Sequence, residues 1–255
     1  MILTDTHTHI YYETDETKLA EQVDKCLASG ISKLFLPNVD STTINLVLGL
    51  SKAYPNHCFP MLGLHPCDVK ENYEEELSLI HDAINQHQIY AIGEIGIDLY
   101  WDKSFLKQQQ IAFEKQILWA KALDLPIVVH CRDAFDEVFE ILESQKDNKL
   151  RGILHCFTGN LDQATKAIDL GFYLGIGGVV TYKKSGLDAI VDQIDLAHLV
   201  LETDAPYLAP VPHRGKPNES SYLIHIAQKV AEIKNLSLEE VAEITTTNAI
   251  KIFGV

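Results

Sequence analysis

Ile2-Leu3-Thr4-Asp5-Thr6-His7-Thr8-His9 is the stretch on which the reading of this chain turns. It begins apolar and ends with two imidazoles two residues apart. Alternate side chains of a strand share a face, so His7 and His9 are expected on one side of it. Seven further short runs follow: Lys33–Asn38, Phe59–His65, Tyr90–Ile95, Pro126–Cys131, Gly152–Cys156, Phe172–Ile176 and Leu199–Asp204. Buried parallel strands read as near-continuous apolar segments, and each gap has room for one helix, so the pattern is one of repeated βα units. Eight such units in 255 residues match the roughly 250 residues of a closed barrel. The expected fold is therefore α/β, a (β/α)8 TIM-type barrel in a single domain, residues 1–255. A doubly wound open sheet is the alternative, because periodicity does not show closure.

The clearest helices are Asp15–Ser29, Ser104–Leu123, Ala134–Ser144 and Leu161–Leu170. In the second, Leu106, Phe113, Ile117 and Ala120 fall on one face. Gly30 and Gly171 follow helical runs as C-cap candidates. Beyond the eighth run, Tyr222–Lys234 and Leu238–Phe253 read as two more helices, the last with Ser237 and Glu240 in a capping-box pattern. No linker, low-complexity segment or repeat unit divides the sequence.

The imidazoles and carboxylates sit at the C-terminal ends of the runs, the face on which barrels build their active sites. By parity, Val128 and His130 share a side, as do Ile153 and His155, Glu202 and Asp204, and Ile92 and Glu94, all expected inward. A lone histidine at a strand end is usually just hydrogen-bonded. His7, His9, Glu94, His130, His155 and Asp204 at matching depths are better explained together, as metal ligands. Four imidazoles and two carboxylates without a thiolate suit Zn, Mn, Ni or Fe, and Mg through the carboxylates. Six ligands exceed one tetrahedral ion and fit two divalent ions sharing Glu94. Such a pair clamps attacking and leaving oxygens and makes hydroxide available near neutral pH. Asp204 is the expected group to orient or deprotonate that water, with Glu94 beside it in the catalytic set. Glu202, one layer deeper, is expected behind the ligands and not among them.

Composition narrows the partners. The net charge of −15 argues against a broad electrostatic grip on nucleic acid, so an anionic substrate needs local cations. Arg132, directly after His130-Cys131, is a candidate, as are Arg214 and Lys216 in the loop after the eighth run. Lys183 and Lys184 lie above the seventh. His65 is read either as a substrate contact or as a packing histidine. Tyr100-Trp101 could stack on a base or pack under a loop, and Glu71–Glu76 reads as a solvated face. The five cysteines form no CxxC pair and suggest a reducing, cytoplasmic setting, each as a small buried residue. No apolar run is long enough for a membrane span, and the N-terminus lacks the regions of a signal peptide.

Several stretches in order along nearly the whole chain carry a family resemblance. They are Asp5-Thr6-His7-Thr8-His9, Gly63-Leu64-His65-Pro66, Gly93-Glu94-Ile95-Gly96-Ile97-Asp98, His130-Cys131-Arg132-Asp133-Ala134, His155-Cys156-Phe157-Thr158-Gly159, Glu202-Thr203-Asp204-Ala205-Pro206 and Arg214-Gly215-Lys216-Pro217-Asn218. Together they resemble the TatD-like metal-dependent deoxyribonucleases of the amidohydrolase superfamily. The resemblance implies one ion held by His7, His9, Glu94 and Asp204 and a second by Glu94, His130 and His155. It also implies phosphodiester hydrolysis, with single-stranded DNA trimmed from its 3′ end. Ser220 departs from the pattern, where proline is expected, and bears on loop shape only. Many amidohydrolases place a carboxylated lysine on strand four, but Gln88–Asp98 has no lysine and Glu94 takes that place. Two other readings use the same residues: an ester or amide hydrolase, such as a D-aminoacyl-tRNA deacylase, and a barrel whose metals serve stability alone. No obligate protein partner is inferred.

Overall fold

The computed structural model describes residues 1–255, in which strands and helices alternate. In order these are β1 (Leu3–Asp5), α1 (Glu16–Ala28), β2 (Ile31–Pro37), α2 (Ile44–Ala53), β3 (Cys58–Met61), α3 (Tyr73–Ile84), β4 (Ile92–Asp98), α4 (Leu106–Leu123) and β5 (Ile127–Arg132). They continue with α5 (Phe135–Ser144), β6 (Gly152–Leu154), α6 (Leu161–Asp169), β7 (Phe172–Ile176), α7 (Leu187–Gln193), β8 (Leu199–Leu201), α8 (Leu223–Lys234) and α9 (Leu238–Phe253). Local chemistry sets several ends. Asp15 caps α1 by accepting from the Thr17 and Lys18 amides, and Ser237 and Glu240 form the reciprocal capping box of α9. Gly30 and Gly171, at φ +82° and +89°, take the left-handed turns that follow α1 and α6. The acidic stretch after Lys70 opens α3: Glu74 and Glu75 stay exposed in its first turn, where the helix dipole favours them, while Glu76 accepts from the Ser41 amide at 2.9 Å.

All strand pairs are parallel, in two arcs, β1-β2-β3 and β4-β5-β6-β7-β8. Two seams join the arcs into a ring. At one, a bridge pairs Leu62 with Ile92, and the Gly93 amide donates to Leu62 O at 3.0 Å. At the other, the Thr6 amide donates to Leu201 O at 3.0 Å and the Asp204 amide to His7 O at 2.9 Å. The result is the (β/α)8 TIM-type barrel.

Strand parity sorts the apolar side chains into two cores. Leu34, Leu36, Ile127, Val129, Leu154, Leu174, Leu199 and Leu201 face outward into a cluster of 57 buried residues shared with the helices. Their neighbours Phe35, Val128, Ile153 and Val200 face inward, with Phe59, Met61 and Ala91, into a separate cluster of 10. The end of α9 closes this inner core from below. Phe253 stacks on Phe35 at 3.7 Å, and the Asn248 side chain donates to Leu196 O and Leu199 O at 2.9 and 2.8 Å. One mouth of the barrel is thus plugged with hydrocarbon, and the side chains at the other are free for chemistry.

Each strand coincides with one of the eight runs, but the ends differ. β1, β3, β6 and β8 stop at Asp5, Met61, Leu154 and Leu201, so His7, His9, His65, His155 and Asp204 stand on the segments leaving the strands. There the backbone is irregular: Asp204 and Cys156 have φ of +55° and +46°. In the other direction, β4 runs on to Asp98, beyond the expected end at Ile95.

Candidate metal centre

Directly above the inner core, the same parity carries Val128 to His130, Ile153 to His155 and Val200 to Glu202. On β4 the expected parity fails. Ile92 belongs to the outer core, with Ile95 and Ile97, while Ala91 is the inward residue. The pairing with β5 steps from Ile92↔Ile127 to Ile95↔Val129, three residues against two, so a bulge lies between them. The extra residue turns Glu94 inward although Ile92 points out. Gly93 permits the close approach, since a Cβ there would lie 2.7 Å from the Val128 Cβ.

Glu94, almost wholly buried, divides its two oxygens between two sets of imidazoles. Oε2 lies 3.1 Å from His7 Nε2 and 3.7 Å from His9 Nε2. Oε1 lies 2.8 Å from His130 Nδ1, 3.4 Å from His65 Nε2 and 3.5 Å from His155 Nε2. Asp204 Oδ1 approaches His9, His7 and His155 at 3.5, 3.8 and 3.9 Å. The six residues singled out by the sequence therefore converge, with His65 added as a seventh.

Outer partners settle which nitrogens face the cavity. Tyr11 donates its hydroxyl proton to Pro37 O at 2.6 Å, so at 2.9 Å from His9 Nδ1 it can only accept. His9 then carries its proton on Nδ1 and turns a bare Nε2 inward, 3.2 Å from His7 Nε2. Glu202 Oε1, 2.9 Å from His155 Nδ1, favours the same tautomer in His155. His65 is the opposite case. Its Nδ1 accepts the Cys67 amide at 3.0 Å, leaving a proton on Nε2. His65 is thus a hydrogen-bond donor into the site, where His9 is a lone-pair donor. His130 is held at both ends, by Glu94 at Nδ1 and by Asp98 Oδ2 at Nε2, each at 2.8 Å.

The donor set fits divalent cations. His7, His9 and Glu94 lie close enough together to hold one, as do His7, His155 and Asp204; His130 also reaches Glu94, with His65 beside them as a hydrogen-bond donor and not a ligand. Two imidazole nitrogens 3.2 Å apart beside two carboxylates need a proton or a cation between them. The field points the same way. Burial lowers the basicity of His155, yet Glu202 and Glu94 outweigh it and push its pKa up to about 10. Burial likewise raises Glu94, but His65, His7 and His155 hold it well below the usual carboxylate range.

Glu202 stands behind the cluster, fully buried, accepting the Cys156 amide at 2.5 Å. Its Oε2 has no hydrogen-bond partner. Gly175 makes its room: a Cβ there would lie 2.3 Å from that oxygen. Asp98 had not been singled out. It is buried beneath His130; burial raises its pKa, but the hydrogen bond and charge of His130 together with the Trp101 and Tyr100 amides outweigh this and hold its carboxyl at about 2. The signal was available, since Asp98 closes the Gly93-Glu94-Ile95-Gly96-Ile97-Asp98 stretch four residues beyond Glu94.

The cluster lies at the base of a cavity of about 790 Å³ lined by His9, His65, Glu94, His130, His155 and Asp204, among others. Arg132 and Trp101 stand on its wall, with Tyr12, Tyr207 and Leu208 as further lining residues. Arg214 and Lys216 are not on the wall; the Arg214 guanidinium packs over the Tyr182 ring at 4.3 Å. Lys183 and Lys184 are exposed. The cysteines are unpaired, but only Cys26 and Cys58 are buried. Cys67, Cys131 and Cys156 instead line the cavity, because their neighbours His65, His130 and His155 draw the chain to it. Ser220 is buried and shares a hydrogen bond with Thr8 at 2.7 Å, a contact that proline would not make.

A barrel whose strand ends gather histidines and carboxylates in this way defines a metal-dependent hydrolase. The chain belongs to the family described as TatD related DNase, whose sequence model matches residues 4–254. It is 37% identical over 255 residues to the uncharacterized metal-dependent hydrolase YabD of Bacillus subtilis, covering 100% of both chains. It is 34% identical to the 3′-5′ ssDNA/RNA exonuclease TatD of Salmonella typhimurium, over 91% of this chain and 92% of that one. Among solved structures, the TatD homologue YjjV of Escherichia coli superposes with a TM-score of 0.93 at 27% identity, covering 99% and 98% of the two chains. No helix is long and apolar enough to cross a membrane.

Proposed function

We propose that this hydrolase, acting as one domain, is a deoxyribonuclease that trims single-stranded DNA from the 3′ end by hydrolysing phosphodiester bonds. The observation that carries the reading is the division of Glu94 between His7 and His9 on one oxygen and His130 and His155 on the other. One carboxylate so placed suits two adjacent divalent ions, with Asp204 completing the first set. Zn, Mn, Ni, Fe and Mg are the ions this donor set suits. The similarity to the Salmonella exonuclease supports the choice of nucleic acid.

Bound ions would supply Lewis-acid polarisation of the phosphoryl group and acidify water to a pKa near ~7. The chain's own residues do the rest. Asp204 Oδ1 faces the cavity beside His9 and takes the proton of the attacking water. His65, with its proton on Nε2, donates a hydrogen bond to a phosphate oxygen. Arg132 is the one lysine or arginine on the wall and holds the substrate's negative charge. Glu202 fixes the His155 ring, and Asp98 fixes His130. A local cation on a chain of net charge −15 confines anion binding to this mouth. Unpaired cysteines support a reducing, cytoplasmic setting.

The test is a 5′-labelled single-stranded DNA oligomer with Mg or Mn, with and without chelator, beside the Asp204→Asn variant. The expected result is a metal-dependent ladder of shorter labelled products, slowed about 10²–10⁴-fold in the variant. No cleavage by protein shown to contain its ions would remove the nuclease reading and turn attention to carboxylic esters and amides.

A further inference from the structure

Hydrolysis at the metal centre makes no use of the aromatic turn that follows β4. Trp101 leaves 70% of its surface in water and Tyr100 53%, with the rings edge to face at 4.9 Å. Trp101 nevertheless belongs to the cavity wall, next to Arg132. The Arg132 guanidinium lies over the Tyr100 ring at 3.9 Å and 5.5 Å from the Trp101 ring, so the three side chains brace one another. Large apolar rings that face water beside a site are surface a ligand can cover.

The turn is also registered to the metal centre. Asp98 Oδ1 accepts the Tyr100 and Trp101 amides at 2.9 and 3.1 Å, while its other oxygen holds His130 Nε2 at 2.8 Å. One buried carboxylate thus fixes both an imidazole of the centre and the backbone that carries the indole. A ring on a loose loop would gain little by stacking, because the loop would lose freedom on binding. This ring is set in place beforehand.

We propose that Trp101, braced by Tyr100 and Arg132, is a stacking platform for the nucleobase next to the scissile phosphate, and so determines specificity. The proposal rests on the nuclease reading of the same cavity. Stacking accepts any base, since each has a π face, and favours purines through their larger area. An abasic residue at the stacked position offers nothing to the ring.

The experiment compares oligomers carrying a base with oligomers carrying an abasic residue at each of the two 3′-terminal positions. At one of them, wild-type kcat/KM should be about tenfold higher with the base, chiefly through KM. In Trp101→Ala that ratio should collapse toward one, and Trp101→Phe should retain part of it. A ratio unchanged in Trp101→Ala would overturn the proposal. A second readout needs no turnover. With Trp119→Phe, Trp101 is the sole tryptophan, and its fluorescence in chelator should be quenched by a purine nucleoside monophosphate but not by ribose phosphate. Quenching without any DNA cleavage would keep the platform and remove the nuclease reading. Cleavage with neither quenching nor base discrimination would keep the nuclease and remove the platform.

Discussion

The two mouths of this barrel are built from the same strands and use opposite chemistry. At the lower mouth Phe35, Phe59, Val128, Ile153, Val200 and Phe253 fill the interior with hydrocarbon. One pleat higher, at the end of β5 and just past β6 and β8, the inward positions are His130, His155 and Glu202, with the wholly buried Oε2 of Glu202 left without a hydrogen bond. The lower layer stabilises the fold by dispersion and the removal of apolar surface from water. The upper layer holds desolvated charge close together, which opposes folding unless each group is paired. Stability and function are thus stacked along one axis, and substitutions at the two ends should fail in different ways.

The sharpest break of that contrast is Glu94→Gln. It takes the shared carboxylate from both sets of imidazoles, and turnover should fall about 10³-fold or more. Divalent ion at a hundred times its Kd should stabilise the wild type by ~2.7 kcal/mol against denaturant, and this increment should vanish in the variant. A variant that keeps the ion-dependent increment would show that Glu94 is not the residue that joins the two sets.

Phe253→Ala is the converse. Removing the ring that stacks on Phe35 at 3.7 Å leaves a cavity in the plug, at a cost of ~3–5 kcal/mol in unfolding free energy. The ion-dependent increment should persist, and kcat per folded molecule should stay within about twofold of the wild type. Equilibrium unfolding with and without ion, beside turnover at low temperature, measures both. A loss of kcat comparable to that of Glu94→Gln would mean that the two layers are not separable.

Sequence made the lower layer plain and the upper layer only partly so. Val128 and Ile153 announce their facing through unbroken alternation, and the parity that buries them also carries His130 and His155 to the centre. Glu94 reached the centre for a different reason from the one expected. A bulge is a property of the pairing between β4 and β5, and no pattern within Tyr90–Ile95 reveals it. The opposed tautomers of His9 and His65 were equally hidden, because they depend on Tyr11 spending its proton on Pro37 O and on the Cys67 amide. Arg214 and Lys216 fall in the right loop but off the cavity wall. Their position follows from the path of a loop containing the positive-φ residues Leu208 and Gly215, which strand parity does not govern.

The finest test of the contrast lies between the layers, at Gly175. Tyr173 below it packs against the inner core, and above it the strand has no side chain because Glu202 occupies the space. In Gly175→Ala the new methyl would lie 2.3 Å from Glu202 Oε2, so the carboxylate must move and its contact with His155 Nδ1 loosens. Partners behind a metal-binding imidazole are typically worth 10–100-fold in metal affinity. The expected outcome is a loss of that size, read by titrating the ion against turnover, with kcat at saturating ion reduced far less. Stability in chelator should fall far less than in Phe253→Ala, since only the Glu202 carboxylate is displaced and the inner core beneath is untouched. A large drop in stability in chelator with unchanged ion affinity would place Gly175 with the lower layer, and would move the boundary between the two chemistries up by one pleat.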